Sequence, residues 1–223
     1  MGYLKVAERY REKKGLLSRW ITYLLERKAV SQIGQKNHYA VFLKFFIDRY
    51  CNKPGLSVVE IGPGDGWALS LMDRRIKEKI AVDIDATYRK KLEAKGIVFC
   101  QADVRKKIPL AKNSVDVLIL NHVLEHLDDP VSVLKGLHSR LKRDGIIIIR
   151  TPDIEKVGFS FWSDPTHVKP FTRLSLRQAL EISGFKTVVC ESFSYRMFML
   201  SYLLPGGPFL PGNGSELLYV GKK

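Results

Sequence analysis

Seven short runs rich in Val, Ile and Leu, at 57–61, 79–85, 96–103, 114–121, 145–152, 185–193 and 216–222, constrain this fold more than any other feature. Runs such as "VDVLILN" and "GIIIIRTP" are apolar at successive positions. Neighbouring side chains of a strand point to opposite faces, so a strand that is apolar throughout has to be covered on both. Helical stretches at 66–77, 86–95, 130–142 and 173–183 lie between the runs and supply that cover. Alternating strand and helix gives parallel neighbours joined by helical crossovers. The last two runs have no helix between them, so the last strand enters antiparallel. The expected class is α/β: a Rossmann-like, seven-stranded, mostly parallel sheet with helices on both faces, plus N-terminal helices.

Residues 3–29 carry Leu4, Tyr10, Leu16, Leu17, Trp20, Leu24 and Leu25 at loosely helical spacing, and about 37–50 carry Tyr39, Val41, Phe42, Phe45 and Phe46. "CNKPG" at 51–55 breaks that pattern. The chain therefore divides into a basic helical segment, 1–53, and a sheet domain, 54–223. The net charge is +14; residues 1–53 hold 12 Lys/Arg against 4 Asp/Glu, and the other 170 residues hold 25 against 19. Such a surface either attracts anionic partners, such as nucleic acid, acidic substrates or lipid headgroups, or simply stays well solvated. Cys51, Cys100 and Cys190 stand far apart, which provides neither a zinc-binding pair nor a disulfide framework and suits a reducing, cytoplasmic setting. The opening residues are charged from Lys5 onward, and the longest apolar run, 197–204, is less than half a membrane span. A soluble protein without a transmembrane segment is expected, with peripheral membrane contact left open.

The first run ends in "VVEIGPGDGW", which places Gly62, Gly64 and Gly66 at a strand-to-helix turn. Glycines at the carboxyl end of a strand let the backbone bend sharply and approach a ligand closely. The dinucleotide fingerprint wants its third glycine at 67, where Trp67 stands, and no Gly-Lys-Ser/Thr follows for a phosphate loop. Glu60 precedes the turn; an acid there would repel a pyrophosphate and suits a ligand carrying positive charge. Asp83 ends the second strand, where a carboxylate can accept from both ribose hydroxyls, and Asp85 either backs it up or caps the next helix. Asp103 ends the third strand, in reach of an exocyclic amine. Any one acid has a bland structural explanation, but three at successive strand ends beside a glycine turn are hard to dismiss.

As a set, "VVEIGPGDG", "AVDID", "QADV", "NSVDVLILNHVLEHLDDP" and "LKRDGIIIIRTPD" resemble the class I S-adenosylmethionine-dependent methyltransferases over about residues 54–192. The resemblance implies S-adenosyl-L-methionine as cofactor, with its methionine end near Glu60, Gly62, Gly64 and Gly66. It further implies Asp83 on the ribose, Asp103 on adenine, and Asn121 and His122 beside the cofactor facing the acceptor. It also implies a lid or cap role for residues 1–53. Similar loops to "SDPTHV" occur in relatives acting on sugars or surface glycans.

Two stretches bear on the acceptor. "FWSDPTHVKPFT" at 161–172 joins the fifth strand to the next helix; Phe161 and Trp162 can wall a pocket there, while Asp164 and His167 can steer or take a proton. Alternatively the loop is Pro-bounded, with Asp164 capping its own turn and His167 satisfied by backbone. "HVLEH" at 122–126 matches a metal-protease spelling, yet its first histidine sits at a strand end and no further ligand is evident, so no metal site is expected. The expected function is methylation, chiefly O-methylation, of a small or glycan-like acceptor that can be anionic. The alternatives are RNA or other N-methylation, or a non-catalytic cofactor-binding subunit. His167, Asp164 and His122 are the candidate catalytic residues.

Overall fold

The computed structural model describes residues 43, 45–51, 53–72, 76–193 and 214–223. The stretch at 3–29, most of that at 37–50, and the Pro/Gly-rich tail at 202–214 apart from its last residue lie outside the described residues. A helix at 45–50 (α1) leads into strand β1, Leu56–Ile61, and helix α2, Trp67–Leu71. Next come β2, Ile76–Asp83; a 3-10 turn, Ala86–Tyr88; α3, Arg89–Glu93; β3, Val98–Gln101; and β4, Val115–Asn121. A second 3-10 turn, Leu124–His126, precedes α4, Pro130–Arg140, and the long β5, Leu141–Pro152. Helix α5, Ile154–Val157, a 3-10 stretch, Gly158–Ser163, and α6, Arg173–Ile182, lead to β6, Lys186–Phe193, and β7, Glu216–Lys222.

The seven strands form one sheet in the order β3-β2-β1-β4-β5-β7-β6. β1 to β5 run parallel, and β7 inserts antiparallel between β5 and β6. Both faces are covered. Val58, Val117, Ile146 and Ile148 pack with Phe46, Ile47, Leu69 and Leu92 on one side, while Val59, Leu118, Ile147 and Ile149 pack with Leu134, Leu137, Leu176 and Leu180 on the other. The apolar runs read from the sequence are thus central strands, and burying each such side chain contributes about 1.5–3 kcal/mol.

Two boundaries differ from expectation. The helix expected over 66–77 stops at Leu71, and β2 begins at Ile76, because "IKEKI" pairs in parallel with β1 and Ser57 Oγ donates to Glu78 Oε2 at 3.0 Å between the two strands. Helix α4 yields to β5 at Leu141, where the pairing with β4 is irregular near Val115. Asp116, 1% exposed beside that irregularity, accepts from Ser57 N and Lys142 Nζ and forms an ion pair with Lys53, which anchors the amino ends of the central strands. No helix among the described residues is long and apolar enough to cross a membrane.

Candidate functional site

The strand order reverses beside β1, whose neighbours are β2 and β4, and the crevice of such a sheet opens beyond the carboxyl ends of those strands. The glycine turn sits there. Gly62 N donates to Val82 O at 2.9 Å, carrying the ladder one residue past β1. A Cβ on Gly62 would lie 2.9 Å from Val123 Cγ2, and one on Gly66 only 2.1 Å from Leu92 Cδ2, so these two glycines let the turn close against its neighbours. At Gly64 a Cβ would meet nothing within 4 Å, which leaves a bare backbone face toward open space.

Glu60 is 3% exposed on β1, and its Oε2 has no hydrogen-bond partner. Asn121 ends β4 with its Oδ1 equally buried and unpartnered. Burial, with the charge of Asp65 adding to it, pushes the Glu60 carboxyl up to about 8. Buried polar atoms normally find partners, and leaving one unmade costs about 1–3 kcal/mol. Two orphaned acceptors on the adjacent strands β1 and β4, beside a bare glycine backbone, fit a ligand that brings its own N–H donors and positive charge. The site therefore fits the methionine end of S-adenosylmethionine.

Asp83 ends β2, and its Oδ1 accepts from Asp85 N at 2.9 Å. Asp85 caps the following 3-10 turn by accepting from Thr87 N. Asp103 follows β3, but its carboxylate is engaged: Arg105 donates from N, Nε and Nη2 at 3.0, 2.9 and 2.9 Å. That guanidinium holds the Asp103 carboxyl below its usual range. A cleft of about 450 Å³ opens beside it, lined by Arg105, Lys106, Asp128, Ser132 and Arg140 among others, and not by Glu60, Asp83 or Asn121.

His122 follows β4 with a φ of 53°, a left-handed conformation that costs a non-glycine residue about 1–3 kcal/mol. Its Nδ1 lies 3.0 Å from Glu125 Oε1 and its Nε2 3.2 Å from Glu216 Oε1. Burial opposes its charge, yet the two carboxylates outweigh burial and raise it to about 9. Glu216 also pairs with Arg150; burial would raise its pKa, but His122 and Arg150 pull it down to about 2. Thr151 Oγ1 completes the chain by donating to Glu125 Oε2 at 2.9 Å. Both ring nitrogens of His122 thus face carboxylates, which favours its charged form.

The loop at 161–172 folds back onto this network. Val168 N and Lys169 N donate to the Glu125 carbonyl at 2.8 and 3.0 Å. Phe161 is buried against the His167 ring, centroids 4.5 Å apart, and His167 Nδ1 lies 2.8 Å from the Phe161 carbonyl. Asp164 Oδ1 accepts from Thr166 N and Thr166 Oγ1, which lowers its pKa. Asp164 thus caps its own turn, with its Oδ2 3.9 Å from His167 Nε2, and Phe159 and Trp162 in the same stretch are 95% and 52% exposed.

The structure therefore gathers Glu60, Gly62, Gly64, Gly66, Asp83 and Asn121 at the carboxyl edge of the sheet and holds His122, Asp164 and His167 beyond β4 and β5. Glu125, which the sequence suggested would hydrogen-bond beneath the site, joins His122 to Thr151, while Glu216, Arg150 and Thr151 were not picked out from the sequence. Glu216 comes from the far end of the chain; its register opposite Pro152 sets it diagonal to Arg150, and only the β5–β7 pairing reveals that.

A family model described as "Methyltransferase domain" matches residues 11–190. The chain is 27% identical over 140 residues to a probable S-adenosylmethionine-dependent methyltransferase of Mycolicibacterium smegmatis, covering 59% of this chain and 52% of that one. It is 29% identical over 121 residues to malonyl-[acyl-carrier protein] O-methyltransferase 1 of Coxiella burnetii, covering 52% and 42%. Among solved structures, a SAM-dependent methyltransferase from Archaeoglobus fulgidus is 25% identical with a TM-score of 0.66, covering 85% of this chain and 95% of that one. The chain spans about half the length of the curated relatives it matches. A glycine turn with orphaned acceptors, an acid closing β2 and a family match over residues 11–190 converge: the chain belongs to the class I S-adenosylmethionine-dependent methyltransferase family.

Proposed function

We propose that this chain transfers a methyl group from S-adenosylmethionine to an oxygen of a small or glycan-like acceptor. The observation that carries this reading is the pair of unpartnered buried oxygens, Glu60 Oε2 and Asn121 Oδ1, on adjacent strands at the crevice. When bound, the cofactor supplies an already activated methyl on a sulfonium, so the protein's task is chiefly alignment and exclusion of water. Glu60 pairs with the ammonium group of the methionine end. Asp83 accepts from the ribose hydroxyls, and Asp103 shares its carboxylate between Arg105 and the adenine amine.

On the acceptor side, a hydroxyl must be activated before it can attack. His122 cannot take a proton, since both its nitrogens face carboxylates. Asp164 is a weak base because Thr166 satisfies it. His167 remains: its Nδ1 faces a carbonyl, which only accepts, so that nitrogen carries the hydrogen and Nε2 carries the lone pair. His167 is therefore the residue that activates the acceptor oxygen. The name of the Coxiella relative, an O-methyltransferase, supports oxygen as the target, and the net charge of +14 supports an acidic acceptor.

Labelled methyl transfer tests this. Purified protein given S-adenosylmethionine and pools of glycans, acyl carriers, small acids and RNA should label a non-RNA pool. His167→Gln should lose at least about 100-fold of that turnover, within the usual worth of one acid–base group, while still binding the cofactor. Label in RNA alone, or full activity in the variant, would overturn the reading.

A further inference from the structure

We propose that Glu125, His126 and His167 form a binding site for a divalent first-row transition-metal ion. One nitrogen from each histidine and one carboxylate oxygen lie within 4.8 Å of one another. The hydrogen bonds around them fix which nitrogen of each ring is free to bind an ion. His126 Nδ1 faces the Thr166 carbonyl at 3.1 Å and Thr166 Oγ1 at 2.9 Å. That hydroxyl already donates to Asp164 Oδ1 at 2.6 Å, so toward His126 it accepts. Both contacts require hydrogen on Nδ1, and the Phe161 carbonyl requires the same of His167. Each imidazole is thereby left with an Nε2 lone pair, and the two rings stand 4.9 Å apart.

An N–H held by a backbone carbonyl is how metal-binding histidines are usually oriented. Glu125 is fully buried and is oriented in turn by His122 and Thr151, one on each oxygen. A carboxylate oxygen has two lone-pair directions, so each keeps one for an ion. Two imidazoles and one carboxylate form a donor set for zinc or a neighbouring metal rather than calcium or magnesium, and three protein ligands leave a coordination position open. Asp164 Oδ2, 3.9 Å from His167 Nε2, adds negative charge at the exposed side. The spelling "HVLEH" is thus used differently from a protease: His122 turns away to Glu216, and His167, 41 positions after His126, supplies the missing ligand.

The role of the ion rests on the methyltransferase reading, whereas its binding does not. An acceptor hydroxyl in the open position would become more acidic, its proton passing to bulk water and its oxygen lone pair becoming the nucleophile. His167 would then act on the acceptor through the ion.

The test uses the full chain, stripped with chelator and titrated with Co²⁺, while S-adenosylmethionine binding is measured in parallel. One equivalent should bind, giving a visible spectrum without the thiolate bands that Cys51, Cys100 or Cys190 would bring, and Zn²⁺ should displace it. His126→Asn and His167→Gln should each weaken binding at least about tenfold. His138→Gln should leave it unchanged, and all three should bind the cofactor as before. No stoichiometric binding, or binding indifferent to both ligand variants, overturns the site. Turnover that survives the chelator but falls in His167→Gln overturns the ion's role and keeps His167 as a direct base. Ion binding without cofactor binding upholds the site and removes the methyltransferase reading.

Discussion

Glu60 and Glu216 are both carboxylates at the crevice, and their surroundings drive them in opposite directions. Glu60 is buried with an orphaned oxygen, so the folded chain holds its proton up to about pH 8 against an ordinary 4.5. The folded state then binds more protons than the unfolded one between those values, and stability falls as pH rises from 4.5 to about 8. Glu60→Gln removes that slope. At pH 9 the variant should be more stable than wild type by about 1–3 kcal/mol in denaturant unfolding, the difference fading by pH 4. Glu216 is held near 2, so its contribution is complete above pH 4.5 and disappears as pH falls through about 2. Glu216→Gln removes one carboxylate partner from each of Arg150 and His122. It should cost about 1–3 kcal/mol at pH 7, less than a fully buried pair because the Glu216 side chain stays 25% exposed. The same unfolding curves at pH 2 should converge.

At the level of elements, strands were legible because Val and Ile at successive positions leave few alternatives: β4, β5 and β7 fall where the apolar runs stand. Short helices were less legible. "IKEKI" pairs with β1 as a strand although it follows a helical stretch, because cross-strand contacts such as Ser57 to Glu78 decide a period too short to judge alone. The glycine turn could be read as a ligand loop, but not which glycine meets the ligand. Gly66 is the more tightly packed of the two closing glycines: its φ of 67° and the 2.1 Å approach to Leu92 leave no room for a Cβ. Gly66→Ala should therefore destabilise the domain by about 2–4 kcal/mol, strain and overpacking together, visible as a lowered melting temperature. Gly64→Ala, with open space before it, should cost less stability and weaken cofactor binding more.

Across the whole molecule, the acceptor side is built by contacts between distant segments, and these were the least legible. His122 in a left-handed conformation, Glu216 arriving on the inserted strand β7, and the loop at 161–172 tied to the Glu125 carbonyl each depend on topology rather than local spacing. Local spelling put His167 only slightly ahead of Asp164 as a base, and the hydrogen bonds that occupy Asp164 Oδ1 widen that difference. The cofactor side needed less: Glu60, Asp83 and Asn121 follow from being the last residues of their strands or close to it. That side is the foundation for the rest, and titration calorimetry of the full chain with S-adenosylmethionine and its demethylated product tests it most directly. One molecule should bind per chain, with a proton released and affinity rising up to about tenfold per pH unit below pH 8, as Glu60 must ionise. Glu60→Gln and Asp83→Ala should each lose about tenfold or more, comparable to a charge-assisted hydrogen bond. Folded wild-type protein that gives no heat, or an affinity indifferent to both substitutions, would contradict the assignment.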